Sequence, residues 1–362
     1  RRACALLIAA VLPACAAQVY IEDAGATGAS GTASTGNGGR PGAGGGSSSS
    51  TMTSSNAGGT MSGSGTSGAT GTGGSNAIPL AYSLKEYVGL SKMLWKGLGH
   101  ASAVDSTGRL FVSDGDVVYA IKDGVPSIYL SHAELHSASG NDDPGVASLD
   151  VGPDDRLYIL DSYYPYNILV SQGPHDVAFH LAVDNDALNW PEHIGAESSG
   201  RILLVTSNGG LYEITSEGTN QLYTDAAFEG ALGCGVHDFA VSQDGDFYYI
   251  PNCNGSPLLG GATDGSGVDT VAKLKDLNEY YFWSFGGVAR HPEGGAMVNL
   301  TGTAYYFDKL GQATELSMKP SMNTIKATSL EFPLFHDCPI EVGPSGEIYL
   351  IGGDRIYQAT LQ

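Results

Sequence analysis

Ala103-Val-Asp-Ser-Thr-Gly-Arg-Leu-Phe-Val-Ser-Asp114 puts a four-residue turn, Asp105-Ser-Thr-Gly108, in front of a short apolar strand. The phrase returns as Asp150-Val-Gly-Pro-Asp-Asp-Arg-Leu-Tyr-Ile-Leu-Asp161 and as Glu197-Ser-Ser-Gly200-Arg-Ile-Leu-Leu204. Later copies are Ser242-Gln-Asp-Gly245-Asp-Phe-Tyr-Tyr249, His291-Pro-Glu-Gly294-Gly-Ala-Met-Val298 and Gly343-Pro-Ser-Gly346-Glu-Ile-Tyr-Leu350. The fourth turn residues (Gly108, Asp155, Gly200, Gly245, Gly294, Gly346) are 47, 45, 45, 49 and 52 residues apart. A period of this length, with short strands and no helical periodicity, predicts propeller blades. Asp or Pro early and Gly or Asp last is the chemistry such turns require.

In the first repeat the pattern gives strand A at about 100–104, B at 110–113, C at 117–121 and D at 127–130. Strand C recurs at 167–170, 210–214, 270–274, 303–307 and 355–359. The sixth repeat reaches Gln362 directly after its strand C, while Pro79 to Val88 precedes the first repeat without a blade of its own. That segment is expected to supply the missing outer strand. The fold class is therefore an all-β, six-bladed β-propeller of four-stranded antiparallel blades, its ring closed by an N-terminal strand and its edges paired.

The rest of the 362 residues divides by composition. From Ala24 to Ser75, 46 of 52 residues are Gly, Ala, Ser or Thr, too little apolar surface to bury, so residues 18–77 are expected to be a flexible tether. Before it, Arg1-Arg2 and the apolar run Ala3 to Ala14 read as an export signal over 1–17, too short to span a bilayer. Leu12-Pro-Ala-Cys15 resembles a bacterial lipobox, which implies lipidation of Cys15; ordinary cleavage at Ala14-Cys15-Ala16 is the alternative. The chain is thus expected in the cell envelope, held to a membrane by a lipid anchor or released outside it, as a monomer.

Residues 78–362 carry 14 Lys and Arg against 36 Asp and Glu, a balance of −22. Nucleic acid is excluded as a partner, since phosphate binding needs a basic face. Cationic ligands and divalent metals are electrostatically favoured, though a solvated acidic surface has the same composition. Cys234 and Cys253 flank the turn at Gln243-Asp244, and their numbers sum to 487, as do those of Val241 and Asp246. Directly opposite in a hairpin of that register, they are expected to form a disulfide.

The first repeat is similar to the NHL repeat, with Ala103 to Asp114 followed by Val117-Val-Tyr-Ala-Ile121; as an architecture the resemblance covers residues 98–362. It extends to the senescence-marker/gluconolactonase group of propellers, which includes scaffolds and enzymes, so it implies the fold and not one function. The gluconolactonase-like enzymes carry a metal at the channel mouth. Their strand-A signature Glu-Gly-Pro is absent here, the nearest Glu standing in Trp190-Pro-Glu192-His-Ile-Gly195.

Strand A begins at the channel mouth, so counting back from each reference turn residue gathers the candidates there. Eight back stand His100, Glu192 and His237; seven back, His193 and Asp238; ten back, Trp190 and His336, with Asp337, Trp283, Asp114 and Asp161 expected nearby. His100, Glu192 and His237 could hold a divalent metal, calcium or zinc, in an open three-ligand site that activates water against an ester. Without a metal, His237 oriented by a carboxylate, with Glu192 beside it, could serve as a general base. Each His could equally hydrogen-bond a neighbouring blade, and Trp190 and Trp283 could stack on a ligand or pack between blades. Oxygen-rich Ser139 to Gly145 and the stretch Asn252 to Asp269 read as solvated loops, the latter as an insertion. The sequence favours a module that binds a small molecule or protein at an acidic channel mouth, with a metal-dependent, lactonase-like hydrolase or lyase as the alternative.

Overall fold

A computed structural model describes residues 81–89, 101–183, 188, 190–197, 199–207, 210–224, 236–242, 245–251, 257–274, 285–300, 303–320, 339–351 and 355–361. All belong to the larger of two units, which includes residues 78–362; the smaller, residues 18–77, lies outside the described residues.

Strand β1 (Ala81–Gly89) precedes a first blade of β2 (Ser102–Val104), β3 (Leu110–Ser113), β4 (Val118–Lys122) and β5 (Val125–Leu130). After helix α1 (His132–Ser139) the second blade is β6 (Val146–Val151), β7 (Leu157–Asp161), β8 (Asn167–Gly173) and β9 (Asp176–Ala182). The third holds β10 (Pro191–Ala196), β11 (Ile202–Thr206), β12 (Leu211–Thr215) and β13 (Gly218–Tyr223). The fourth holds β14 (Val236–Val241), β15 (Asp246–Pro251), β16 (Pro257–Ala262) and β17 (Val268–Lys273). The fifth is β18 (Phe285–Arg290), β19 (Ala296–Leu300), β20 (Thr303–Phe307) and β21 (Ala313–Glu315), followed by β22 (Ser317–Pro320). The sixth is β23 (Ile340–Val342), β24 (Ile348–Ile351) and β25 (Arg355–Leu361). The chain is a six-bladed propeller: five sheets run in simple meander order and the sixth is ordered β22-β1-β25-β24-β23.

Every repeated phrase makes the same turn. The N–H of Gly108, Asp155, Gly200, Gly245, Gly294 and Gly346 donates to the carbonyl three residues earlier. All six have positive φ, from 58° at Asp155 to 89° at Gly294, which explains why Gly holds five of the positions and Asp the sixth. In the first copy Asp105 is buried beneath its turn, accepting from the N–H groups of Thr107 and Arg109 (both 2.9 Å) and pairing with the Arg109 guanidinium at 2.8 Å. Burial alone would raise the Asp105 pKa; these donors hold it below the usual carboxylate range.

Six apolar clusters, one between each pair of neighbouring blades, form the core. Phe111 and Leu149 join blades one and two, Ile168 and Ile194 two and three, and Leu203 and Phe247 three and four. Ile250 and Val298 join four and five, Met297 and Leu350 five and six, and Leu110 and Tyr349 close six onto one. β1 completes the sixth blade as expected, pairing antiparallel with β25.

Two expectations need correction, and two elements come in addition to the expected fold. Residues 270–274 lie on the outer strand of blade four or at its end, and strand C is β16, inside the stretch read as an insertion. Pro257-Leu-Leu-Gly-Gly-Ala262 looks like loop because of its glycines, yet both are required in the strand. A Cβ on Gly261 would stand 2.5 Å from the Gly267 carbonyl and 2.8 Å from the Phe247 ring. Gly261→Ala should therefore destabilise the protein by about 1–3 kcal/mol in chemical denaturation, the usual cost of overpacking. Second, Val241 pairs with Phe247 and not with Asp246; a bulge restores the 487 register only at Val236↔Pro251. Cys234 and Cys253 themselves lie outside the described residues. The first added element, α1, interrupts the all-β pattern, with a Ser131/Glu134 capping box at its start and left-handed Gly140 at its end. The second, β22, adds to β1 in parallel, a fifth strand that no repeat announced.

Candidate active site

The innermost strands β2, β6, β10, β14, β18 and β23 enclose a narrow cavity of about 50 Å³, polar through Ser102, Ser148, Asp150, His193, Asp238, Arg290 and Glu341. Which side chains reach it is decided by bulges. The register slips between Val146 and Ser148, between Pro191 and His193, and between Val236 and Asp238. The unpaired residues are Ala147, Glu192 and His237, so Ser148, His193 and Asp238 line the cavity instead. Period-two alternation then brings in residues two further along, Asp150 among them.

These side chains also join the blades. The Asp238 carboxylate accepts from the N–H of Phe239 (2.8 Å) on its own strand and of Val288 (2.6 Å) on the next blade. Asp150 likewise accepts from Val151 (2.8 Å) and from Ala196 of the next blade (2.7 Å). Ser148 Oγ accepts from Ile194 N–H at 3.2 Å, and Ser102 Oγ donates to Glu341 Oε1 at 2.7 Å, joining blades one and six.

Burial governs the electrostatics. It pushes the Asp238 pKa up to about 7 against the pull of two N–H donors. It pushes Glu341 up to about 8, Ser102 opposing and the Asp150 and Asp238 charges adding. Asp150 is also raised by burial, with the Arg290 charge and two N–H donors opposing. His193 is buried, its Nδ1 3.7 Å from Asp238 Oδ1.

Of the candidates named from sequence, His193 and Asp238 meet in the cavity. Glu192 and His237 sit on the bulges and do not line it; Glu192 Oε2 accepts from Val236 N–H at 3.3 Å, and burial raises its pKa. Asp114 caps its own hairpin, accepting from Val117 N–H (2.9 Å) and the Tyr119 hydroxyl (3.3 Å). Asp161 is fully buried and accepts from Asn141 Nδ2 (2.5 Å), Tyr163 N–H (3.1 Å) and Gly145 N–H (3.2 Å). It fixes the 139–145 segment, in which Asn141 is itself buried and so not a plain solvated loop. Trp190 is 70% exposed on a left-handed backbone (φ 48°), which rules out packing between blades. His100, His336, Asp337, Trp283 and Cys15 lie outside the described residues.

Sequence reasoning placed Ser148 seven back with His193 and Asp238 but missed Ser102, Asp150, Arg290 and Glu341 as channel residues. A signal existed: Asp150 and Glu341 both stand five before their reference turn residue, on the face shared with seven back. Among the described residues no group of three or more His, Cys, Asp or Glu could hold a metal ion. Of the three proposed ligands, Glu192 and His237 do not line the cavity, and His100 lies outside the described residues.

At the level of sequence, neither a family model nor a curated protein matches this chain. Solved structures do match it in shape. A gluconolactonase from Xanthomonas campestris superposes with a TM-score of 0.56 at 13% identity, covering 80% of this chain and 94% of its own. A calcium-binding protein, regucalcin, from Agrobacterium tumefaciens gives 0.52 at 10% identity, covering 78% and 95%. Virginiamycin B lyase from Staphylococcus aureus gives 0.50 at 13% identity, covering 78% and 100%. At these identities the likeness is one of fold: the chain has the shape of gluconolactonase- and regucalcin-like six-bladed propellers.

Proposed function

We propose that this protein is a hydrolase or lyase of the lactonase-like kind, opening a cyclic ester at the bulged end of its channel. The observation that carries the reading is the His193–Asp238 pair, buried in the channel wall where bulges turn it inward. The shapes shared with a gluconolactonase and with a lyase support it over the pure binding module that composition favours. Asp238 changes protonation near pH 7, the range in which a carboxyl group both accepts a proton from attacking water and returns it to a leaving alkoxide. The Phe239 and Val288 N–H groups fix its orientation, and His193 stands beside it at 3.7 Å. No step here runs through a metal.

Gluconolactone opening, followed by acid release in a weakly buffered indicator solution, tests the reading. Asp238→Asn should lower kcat by about 10²–10⁴-fold, with His193→Ala comparably impaired. Wild-type protein that shows no rate above background on a panel of ring esters would sink it. Unchanged turnover in Asp238→Asn would instead remove this pair from the chemistry.

We further propose that the domain is exported and held by a lipid on Cys15, and that Cys234 and Cys253 are bonded. The basic-apolar start, the Gly/Ser/Thr tether and the Val236↔Pro251 register support this. Intact-mass measurement of the processed protein should show the acyl mass, lost in Cys15→Ala. It should also show two hydrogens fewer than the reduced chain.

A further inference from the structure

Arg290, at the end of β18, lines the channel and is under-used. Its Nη1 donates to the Val241 carbonyl at 3.2 Å, and among the described residues that is its one hydrogen bond. A guanidinium offers five donors in a planar fork. The carboxyl groups around it are turned elsewhere: Asp150 to two N–H groups, and Glu341 to Ser102. None of them closes an ion pair with Arg290 among the described residues. A cation in a narrow cavity, its charge felt by Asp150 and Glu341 but its donors left open among the described residues, has the form of a recognition site.

We propose that the part of the channel around Arg290 receives a carboxylate group of the ligand, held by the guanidinium fork. The inference rests on the channel being the substrate site, and it deepens that reading by giving the substrate a carboxylate away from its ring ester. Asp238 and Val241, whose carbonyl Arg290 holds, are three residues apart on β14, roughly 10 Å at the strand rise. One ligand can thus meet the acid–base pair at one end and Arg290 at the other.

The facing groups are compatible with an anion. From the other inner strands come Asp150, His193, Asp238 and Glu341, while β2 contributes uncharged Ser102. Glu341 and Asp150, the two acids that feel the Arg290 charge, are both raised by burial. In mildly acidic solution Glu341 carries its proton and can donate to a carboxylate; above about 8 it repels one. A phosphate dianion, with more charge to place among these acids, is disfavoured.

Calorimetric titration of the full chain with acetate, gluconate and inorganic phosphate, at pH 6 and pH 8.5, tests this. Both carboxylates should bind wild type at pH 6, outcompete phosphate and weaken at pH 8.5. Arg290→Gln should weaken them about tenfold or more. Arg290→Lys, which keeps the charge but loses the fork, should fall several-fold, and it serves as the comparison if thermal melts show Arg290→Gln to be unfolded. Absence of carboxylate binding to wild type, equal binding to the variants, or preference for phosphate overturns the proposal. Carboxylate binding without ester turnover would strike the hydrolase reading alone. Turnover without carboxylate binding would strike this inference alone.

Discussion

A chain lacking residues 79–88 should fail to give a cooperative unfolding transition, although it keeps every residue of blades one to five. β1 is hydrogen-bonded along both edges, to β25 from Tyr82↔Leu361 to Gly89↔Arg355 and to β22 from Ala81↔Ser317 to Leu84↔Pro320. Tyr82 and Leu84 are buried in the cluster between blades five and six, and Val88 in the cluster between six and one. Removing the strand exposes the edges of β25 and β22 together and opens two of the six inter-blade cores. Loss of a single well-buried side chain here, as in Leu84→Ala, costs about 2–5 kcal/mol. Since a whole domain is stable by only about 5–15 kcal/mol, loss of the entire strand exceeds what the fold can absorb. Circular dichroism and thermal melts read the result. A deletion variant that melts cooperatively within a few degrees of wild type would show that the ring does not depend on this closure.

Stability should be greatest in mildly acidic solution and fall as pH rises from about 4 to 8. The folded state holds a proton on Asp238 up to about pH 7 and on Glu341 up to about pH 8, whereas their ordinary values are 3.8 and 4.5. A group whose folded pKa is raised favours folding most fully below its unfolded pKa, and that advantage is lost as pH passes the folded value. For one such group the loss is on the order of 4 kcal/mol. Below pH 4 the trend reverses, because Asp105 and Glu213, held low by donors in the fold, must then be protonated. Glu341→Gln keeps an acceptor for Ser102 and cannot ionise, so its melting temperature should exceed that of wild type at pH 8.5 and match it near pH 4. A wild-type melting temperature that rises steadily from pH 4 to 8 would contradict the protonated channel.

The turns were legible in the sequence because they are local. Gly108, Asp155 and their four counterparts each close a loop of four residues whose backbone conformation only a few residue types tolerate. Repetition then showed that one unit recurs six times, and the unpaired segment at 79–88 pointed to where the ring closes. Strand β16 was lost for the opposite reason: Gly260 and Gly261 are small because Val271 and Phe247 crowd them, a fact of neighbours and not of propensity. Helix α1 carries its own capping signals but is one short element among many strands, too brief for periodicity to reveal.

The site was half visible. Counting back along strand A included His193 and Asp238, which line the cavity, yet it ranked them behind Glu192 and His237, one residue away. A single bulge exchanges which neighbour faces inward, and bulges arise from how two strands pair, which no spacing within one strand reports. The amino-acid sequence by itself determined the number of blades, the turn at each and the closing strand, since those depend on contacts within a few residues or on composition. The tertiary structure alone decided which carboxyl groups enter the channel, how burial sets their protonation and why Arg290 keeps open donors among the described residues, because each depends on side chains that five other blades bring to one axis.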